Sequence, residues 1–244
     1  MKLVFIRHAD PDYPNNTLTE KGFEEIKALK KFYDRKDFKA VFCSPLNRAI
    51  LTCEAIKNMN NNYEIKEWLM EFPDAVNING ESHHAWDFPE DLIDENIDSI
   101  FDVHNYEKNK IYKNTEIKKH IDEITFKFDQ ILEQYGYKRK GSYYIPIKPN
   151  DDTLLFVCHL GIMSVLISHL FNCTYINVAE YFAPAPCSVT TLISEERKPG
   201  LAHFRASTMG DVSHLLMDKQ KPSKAGRGVE YIDKKINLWC FGKK

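Results

Sequence analysis

No apolar run in the 244 residues approaches the length of a bilayer span, so the chain offers no candidate membrane helix. The N-terminus enters an apolar strand at once, which leaves no room for a signal peptide and predicts a cytoplasmic protein. Charge of one sign is also missing. The 33 Lys and Arg against 35 Asp and Glu leave a net charge of −2, so no global field steers the chain toward nucleic acid or an anionic membrane. The six cysteines, at 43, 53, 158, 173, 187 and 240, include no C-x-x-C and no zinc-like spacing. Several lie in apolar strand or helix patterns, as buried reduced thiols of a cytosolic protein do. There is no internal repeat and no low-complexity segment. What remains is ordinary for a soluble globule, 43% hydrophobic and 28% charged. The length fits one large α/β domain, or a core domain with an inserted lid.

The pattern alternates strand and helix. Lys2–Ile6 is a short β-branched and aromatic run, read as a buried strand. A polar loop with Pro11 and Pro14 follows. Thr19 then caps a helix running to about Tyr33, with Phe23, Ile26, Leu29 and Phe32 or Tyr33 as its apolar stripe. Ala40–Cys43 is a second strand. Ser44 as N-cap and Pro45 as first helical residue start the next helix, with Leu46, Ala49, Ile50, Cys53 and Ile56 on one face. A third strand is expected over roughly Tyr63 to Leu69. From Phe72 to about Asn114 the chain reads as irregular, aromatic and acidic, with seven carboxylates and no Lys or Arg between Ala85 and Val103, and is assigned to a lid. A long helix over about 115–134 precedes Thr153–Cys158, the most apolar strand and so a central one. The helix over 161–171 is apolar nearly all round and should be buried. A hairpin over 188–193 and 201–206 closes the domain at about residue 216. Residues 217–244 form a Lys-rich tail. The expected fold is a three-layer α/β/α sandwich on a mainly parallel sheet.

In such a sheet the strand ends share one edge, where open α/β folds bind ligands. Arg7 and His8, Ser44 with Arg48 beyond it, Glu71 and His159 each follow an expected strand and so can converge there. A guanidinium clamps a phosphoryl group through two oxygens, and a neutral imidazole beside it can attack the phosphorus. The combination points to phosphoryl transfer through a phosphohistidine.

At these residues the sequence resembles the histidine phosphatase superfamily, in its phosphoglycerate-mutase-like branch. The matching segments are Arg7–Asp10, Leu18–Gly22, Ser44–Ala49, Leu69–Phe72 and Val157–Gly161, with Gly210–Leu215 similar to the distal part of such chains. They run in family order over most of residues 1–215. The resemblance implies His8 as nucleophile, with its second ring nitrogen donating to a backbone carbonyl of the loop. It implies Arg7, Arg48 and a cationic His159 on the phosphoryl oxygens, assisted by the first-turn amides of the helix at Pro45. Glu71 would protonate the leaving alkoxide and then activate water; Glu67 and Asp74 are neighbouring candidates. No metal or cofactor is implied. The chain departs from the family at Ala9 and Leu160, where glycine is usual. Asn15 and Asn16 are the candidates for a substrate-loop asparagine.

Other features have plainer readings. His83 and His84 lack a spaced third metal ligand and read as exposed. Lys138, Arg139 and Lys140, and the lysines of 219–224, read as solvated faces, and Tyr143 with Tyr144 as packing. The expected activity is that of a histidine acid phosphatase-type phosphomonoesterase on a small phosphorylated metabolite. Its alternatives are a phosphoglycerate-type mutase, whose extended substrate segments are not evident, and a silent phospho-ligand-binding module. An acidic lid would disfavour multiply anionic leaving groups or accept a cationic substituent.

Overall fold

Lys2–Arg7 forms strand β1, every residue of which is buried except Lys2. In the computed structural model, which describes residues 1–33, 37–56, 62–78 and 80–225, β1 lies inside an eight-stranded sheet. The chain continues through a small hairpin, β2 (Pro11–Asp12) and β3 (Thr17–Leu18), into α1 (Glu20–Tyr33), β4 (Ala40–Cys43), α2 (Asn47–Ile56) and β5 (Tyr63–Ile65). A second hairpin follows, β6 (Ala75–Ile78) and β7 (Glu81–His84), then α3 (Glu90–Ile100) and α4 (Ile117–Gln134). Next come β8 (Tyr137–Lys140), β9 (Tyr143–Pro146), β10 (Thr153–Cys158), α5 (Leu160–Phe171) and α6 (Tyr175–Tyr181). The last elements are β11 (Val189–Lys198), β12 (Leu201–Asp211) and α7 (Ser213–Met217).

The sheet order is β5-β4-β10-β1-β11-β12-β9-β8. Alternation along β1 sets the layers, because successive side chains point to opposite faces. Leu3 and Phe5 join a cluster with Phe128 and Leu132 of α4 and Ile162 and Leu166 of α5. Val4 and Ile6 join the opposite cluster with Leu29 of α1, Ala49 and Cys53 of α2 and Leu215 of α7. The three-layer α/β/α fold is therefore as expected, and β10 is central and buried from Leu154 to Cys158.

The sheet is parallel only in part. β5, β4, β10 and β1 pair in parallel, whereas β11, β12, β9 and β8 extend it antiparallel. The reason is connection length: β8–β9 and β11–β12 are joined by tight turns at Gly141 and Gly200, both with positive φ, and only antiparallel neighbours can be linked so briefly.

Four local expectations are corrected. The third strand ends at Ile65, and Glu67–Leu69 is a 3-10 turn. The helix expected at Pro45 begins at Asn47. In α1, Phe23 and Phe32 are exposed at 39% and 38%, while Gly22, Glu25, Leu29 and Tyr33 face inward. Gly22 fixes that rotation, since a Cβ there would lie 2.4 Å from the Asp10 carbonyl oxygen. The segment 72–114 is not irregular. It holds β6, β7, α3 and two short 3-10 turns, and Phe72, Val76, Phe88, Ile100 and Tyr112 pack with Val165 of α5 and Tyr175 of α6. The carboxylates of α3 are exposed, and its Ile93, Asn96 and Ile100 face inward.

Arg139 also departs from a solvated reading. It donates to the Tyr144 hydroxyl at 3.0 Å, the His169 carbonyl at 3.0 Å and Asn172 Oδ1 at 2.7 Å, tying the β8–β9 edge to α5. After α7 the chain runs back along α1. Lys31 pairs with Asp218 at 2.6 Å, and Gln220 Nε2 donates to the Glu24 carbonyl at 3.0 Å. The remainder of the tail, 226–244 with Cys240, lies outside the described residues. Among the described residues no helix is long and apolar enough to cross a membrane.

Candidate active site

The parallel half of the sheet brings three strand ends into register. Arg7 stands opposite Cys158, and Cys43 opposite Val157. The residues just beyond these ends, His8, Ser44 and His159, therefore lie side by side, all buried. The rings of His8 and His159 are 4.9 Å apart.

His8 Nδ1 is 2.8 Å from the Ala9 carbonyl oxygen, which places the ring hydrogen there and leaves Nε2 its lone pair. Burial, reinforced by Arg7 and Arg48 and opposed by that carbonyl, pulls the His8 pKa down to about 3. The loop beyond is held from several sides. Ala9 N–H donates to Thr52 Oγ1 at 3.0 Å, and the Thr52 hydroxyl donates to the Arg48 carbonyl at 2.8 Å. Cys187 N–H, at φ 61°, donates to the carbonyls of both Arg7 and His8, at 3.1 and 3.0 Å.

Arg7 donates from Nη1 to the Pro184 carbonyl at 2.7 Å and from Nη2 to the Ala225 carbonyl at 3.3 Å. Arg48, on the first turn of α2, lies 5.3 Å from the Tyr13 ring centre, and its Nε is buried with no hydrogen-bond partner among the described residues. His159 Nε2 is 2.7 Å from Ser44 Oγ, and that oxygen accepts from Leu46 N–H at 3.2 Å; among the described residues His159 Nδ1 has no hydrogen-bond partner. Burial first, then His8, Arg48 and Arg7, hold the His159 pKa well below its ordinary 6.5. That lowering belongs to the protein groups alone, whereas the cationic form is expected beside a bound dianion.

Glu71 stands across from these groups. Its Oε1 accepts from the N–H of Gly161 at 2.9 Å, Phe72 at 3.0 Å and Ile162 at 3.4 Å, so the start of α5 holds the carboxylate. Burial of the carboxyl raises its pKa, against the lowering by those N–H groups, Arg7 and Arg48. Of the neighbouring acids, Asp74 is committed to His120 at 2.9 Å, and Glu67 begins the 3-10 turn. Asn15 and Asn16 shape the β2–β3 turn: Asn15 binds Asp12, and Asn16 has φ 48° with its carbonyl held by Asn47.

Five residues near the site were not legible in the sequence: Tyr13, Thr52, Trp86, Cys187 and Glu25. Thr52 and Arg48 are four apart on α2, a helical spacing that is the only trace of their link. Glu25 is fully buried and accepts from Asp10 N–H at 2.9 Å, and burial pushes its pKa up to about 7. Asp10 in turn accepts from Thr19 at 2.6 Å and from Ser223.

His84 stacks on Trp86, and among the described residues no group of three or more His, Cys, Asp and Glu is arranged to hold a metal ion. A groove of about 710 Å³ lies at the other end of α5, against β11 and β12, and contains none of these residues.

A family sequence profile described as histidine phosphatase superfamily (branch 1) matches residues 3–86. Among curated proteins the sequence has no match. Similar solved structures include a mutant phosphoserine phosphatase of Entamoeba histolytica in complex with phosphoserine, at TM-score 0.58 and 16% identity over 88% of this chain and 98% of that one. The α-ribazole phosphatase of Shigella flexneri is similar at TM-score 0.51 and 18% identity, over 86% and 96% of the two chains. A mycobacterial glucosyl-3-phosphoglycerate phosphatase is similar at 0.57 and 15%, over 86% and 98%. At these identities the likeness is one of fold. Residues 3–86 thus resemble the histidine phosphatase superfamily, branch 1, and the chain as a whole shares the fold of these structures.

Proposed function

We propose that the protein is a cytosolic, metal-independent phosphomonoester hydrolase that acts on a small phosphorylated metabolite through a phosphohistidine at His8. The observation that carries this reading is the neutral His8 ring, with Nδ1 on the Ala9 carbonyl, flanked by Arg7, Arg48 and His159 and faced by Glu71. Arg48 Nε and His159 Nδ1 support it further. Buried polar groups are costly to leave unmatched, and an anion seated between the two imidazoles and two arginines would satisfy them.

In the first step His8 Nε2 forms a bond to phosphorus while the phosphorus–oxygen bond to the leaving group breaks, and protonated Glu71 gives its proton to the departing oxygen. Arg7, Arg48 and His159 hold the three equatorial oxygens. In the second step ionised Glu71 takes a proton from water, whose oxygen displaces His8 and forms inorganic phosphate. The positive charge comes from side chains already present, so no step calls for a metal.

The test is hydrolysis of para-nitrophenyl phosphate in excess EDTA by the wild type and by His8→Ala. Turnover that survives EDTA and disappears in the variant is the expected result. Turnover that persists without His8, or that EDTA abolishes, would overturn the proposal. Alkaline quench during turnover should also trap a phosphoenzyme, since phosphohistidine is stable to base. A phosphoenzyme that returns its phosphoryl group to a second hydroxyl rather than to water would identify a mutase instead.

A further inference from the structure

Trp86 lies beside the proposed proton donor without belonging to the phosphate clamp. The His84 ring stacks on its indole at 5.0 Å and 11°, which fixes the indole plane. Its edge packs against Gly161 in the first turn of α5. A Cβ at Gly161 would fall 2.6 Å from the indole Nε1 and 2.9 Å from Glu71 Oε1, so the indole nitrogen and the carboxylate close on the same point.

The indole N–H can only donate. It is buried, and among the described residues it has no hydrogen-bond partner. Glu71 Oε1 does not supply one, because Gly161, Phe72 and Ile162 already occupy it. Packing alone would be met as well by Phe, which carries no donor to strand. A proton donor must also lie against the oxygen that leaves, and a second donor that closes on the same glycine as Glu71 is placed to reach the alcohol half of the ester.

We propose that Trp86 is a specificity-determining residue whose indole N–H donates to an oxygen on the alcohol half of the substrate. Preferred substrates are then phosphomonoesters of an alcohol that carries a vicinal oxygen acceptor, a hydroxyl or a carboxylate-bearing hydroxy acid. This inference rests on the phosphatase reading and on Glu71 as its acid. An ester lacking the acceptor leaves the indole donor buried and unmatched, which is how a polar site rejects an analogue.

A matched pair of substrates tests it: sn-glycerol 3-phosphate and n-propyl phosphate, which differ only in the hydroxyls. In the wild type kcat/KM should favour glycerol 3-phosphate by about tenfold or more, and Trp86→Phe should bring the ratio to within about threefold of unity. A wild type with no such preference, or a preference that survives Trp86→Phe, overturns the inference while leaving para-nitrophenyl phosphate turnover, and with it the phosphatase reading, intact. Wild type inert toward every ester strikes the phosphatase reading and this one with it.

A second measurement does not depend on the Trp86 variant being active. In nitrogen-15-labelled His8→Ala, the Trp86 indole N–H resonance should move on adding glycerol 3-phosphate and stay in place with inorganic phosphate. Equal movement with both, or none with either, overturns the inference.

Discussion

The proposed chemistry depends, at residue scale, on a His8 imidazole kept neutral and a Glu71 carboxyl kept reluctant to ionise. Burial does this in each case, and the arginines reinforce it for His8 and oppose it for Glu71. The raised Glu71 pKa favours the protonated donor. Glu71→Gln should therefore slow alkyl phosphates by about 10²–10⁴-fold and para-nitrophenyl phosphate much less, since a good leaving group needs little protonation. Comparing kcat/KM, which reports the ester-specific first step, for the two ester types checks this. His8 also leaves a thermodynamic mark. Its pKa is about 3 folded against 6.5 unfolded, so between those values the unfolded chain binds a proton the native state refuses. That contribution is present above pH 6.5 and is lost as pH falls toward 3. Urea midpoints for His8→Ala should show a shallower loss of stability over that window than the wild type.

Among the secondary elements, two helices hold the site. The first turn of α5 presents the N–H groups of Gly161 and Ile162 to Glu71, and the indole of Trp86 closes on the same glycine. Gly161→Ala has no room for its methyl group and should cost about 1–3 kcal/mol, read as a lower melting temperature, together with reduced turnover as the carboxylate is displaced. Helix α1 supports the loop after His8 through Glu25, which holds the Asp10 N–H. Glu25 has a folded pKa of about 7 against an ordinary 4.5, so the native state keeps a proton the unfolded chain releases. Its contribution is full below pH 4.5 and is lost as pH rises through 7. Denaturant midpoints should fall between pH 5 and 8 in the wild type and fall less in Glu25→Gln.

Across the whole molecule, residues 221–225 after α7 fasten onto the N-terminal part of the chain. Ser223 reaches Asp10, the Lys221 carbonyl accepts from Lys21 at 2.5 Å, and the Ala225 carbonyl accepts from Arg7. Ending the chain at Gln220 removes these bonds and should cost on the order of 1–3 kcal/mol. For a domain of this size each kcal/mol lowers the melting temperature by about 2–4 °C, which calorimetry resolves. On the opposite face, the 72–114 segment is tied to the core helices by Tyr175, whose hydroxyl donates to the Ala85 carbonyl at 2.7 Å.

The sequence alone determined whatever depends on periodicity and on strand ends. The apolar runs Leu3–Ile6 and Leu154–Cys158 and the helical stripe at Ile117, Phe128 and Leu132 announce three layers. Parallel pairing then forces His8, Ser44 and His159 to one edge, because residues that end parallel strands in register must be neighbours. Tertiary structure alone decided what depends on contacts between distant segments. The antiparallel half of the sheet, the inward turn of Glu25, the hold of the α5 N–H groups on Glu71, and the meeting of Trp86 with Gly161 are such contacts. Each joins residues far apart in the chain through close packing or a single hydrogen bond, and neither leaves a period in the sequence.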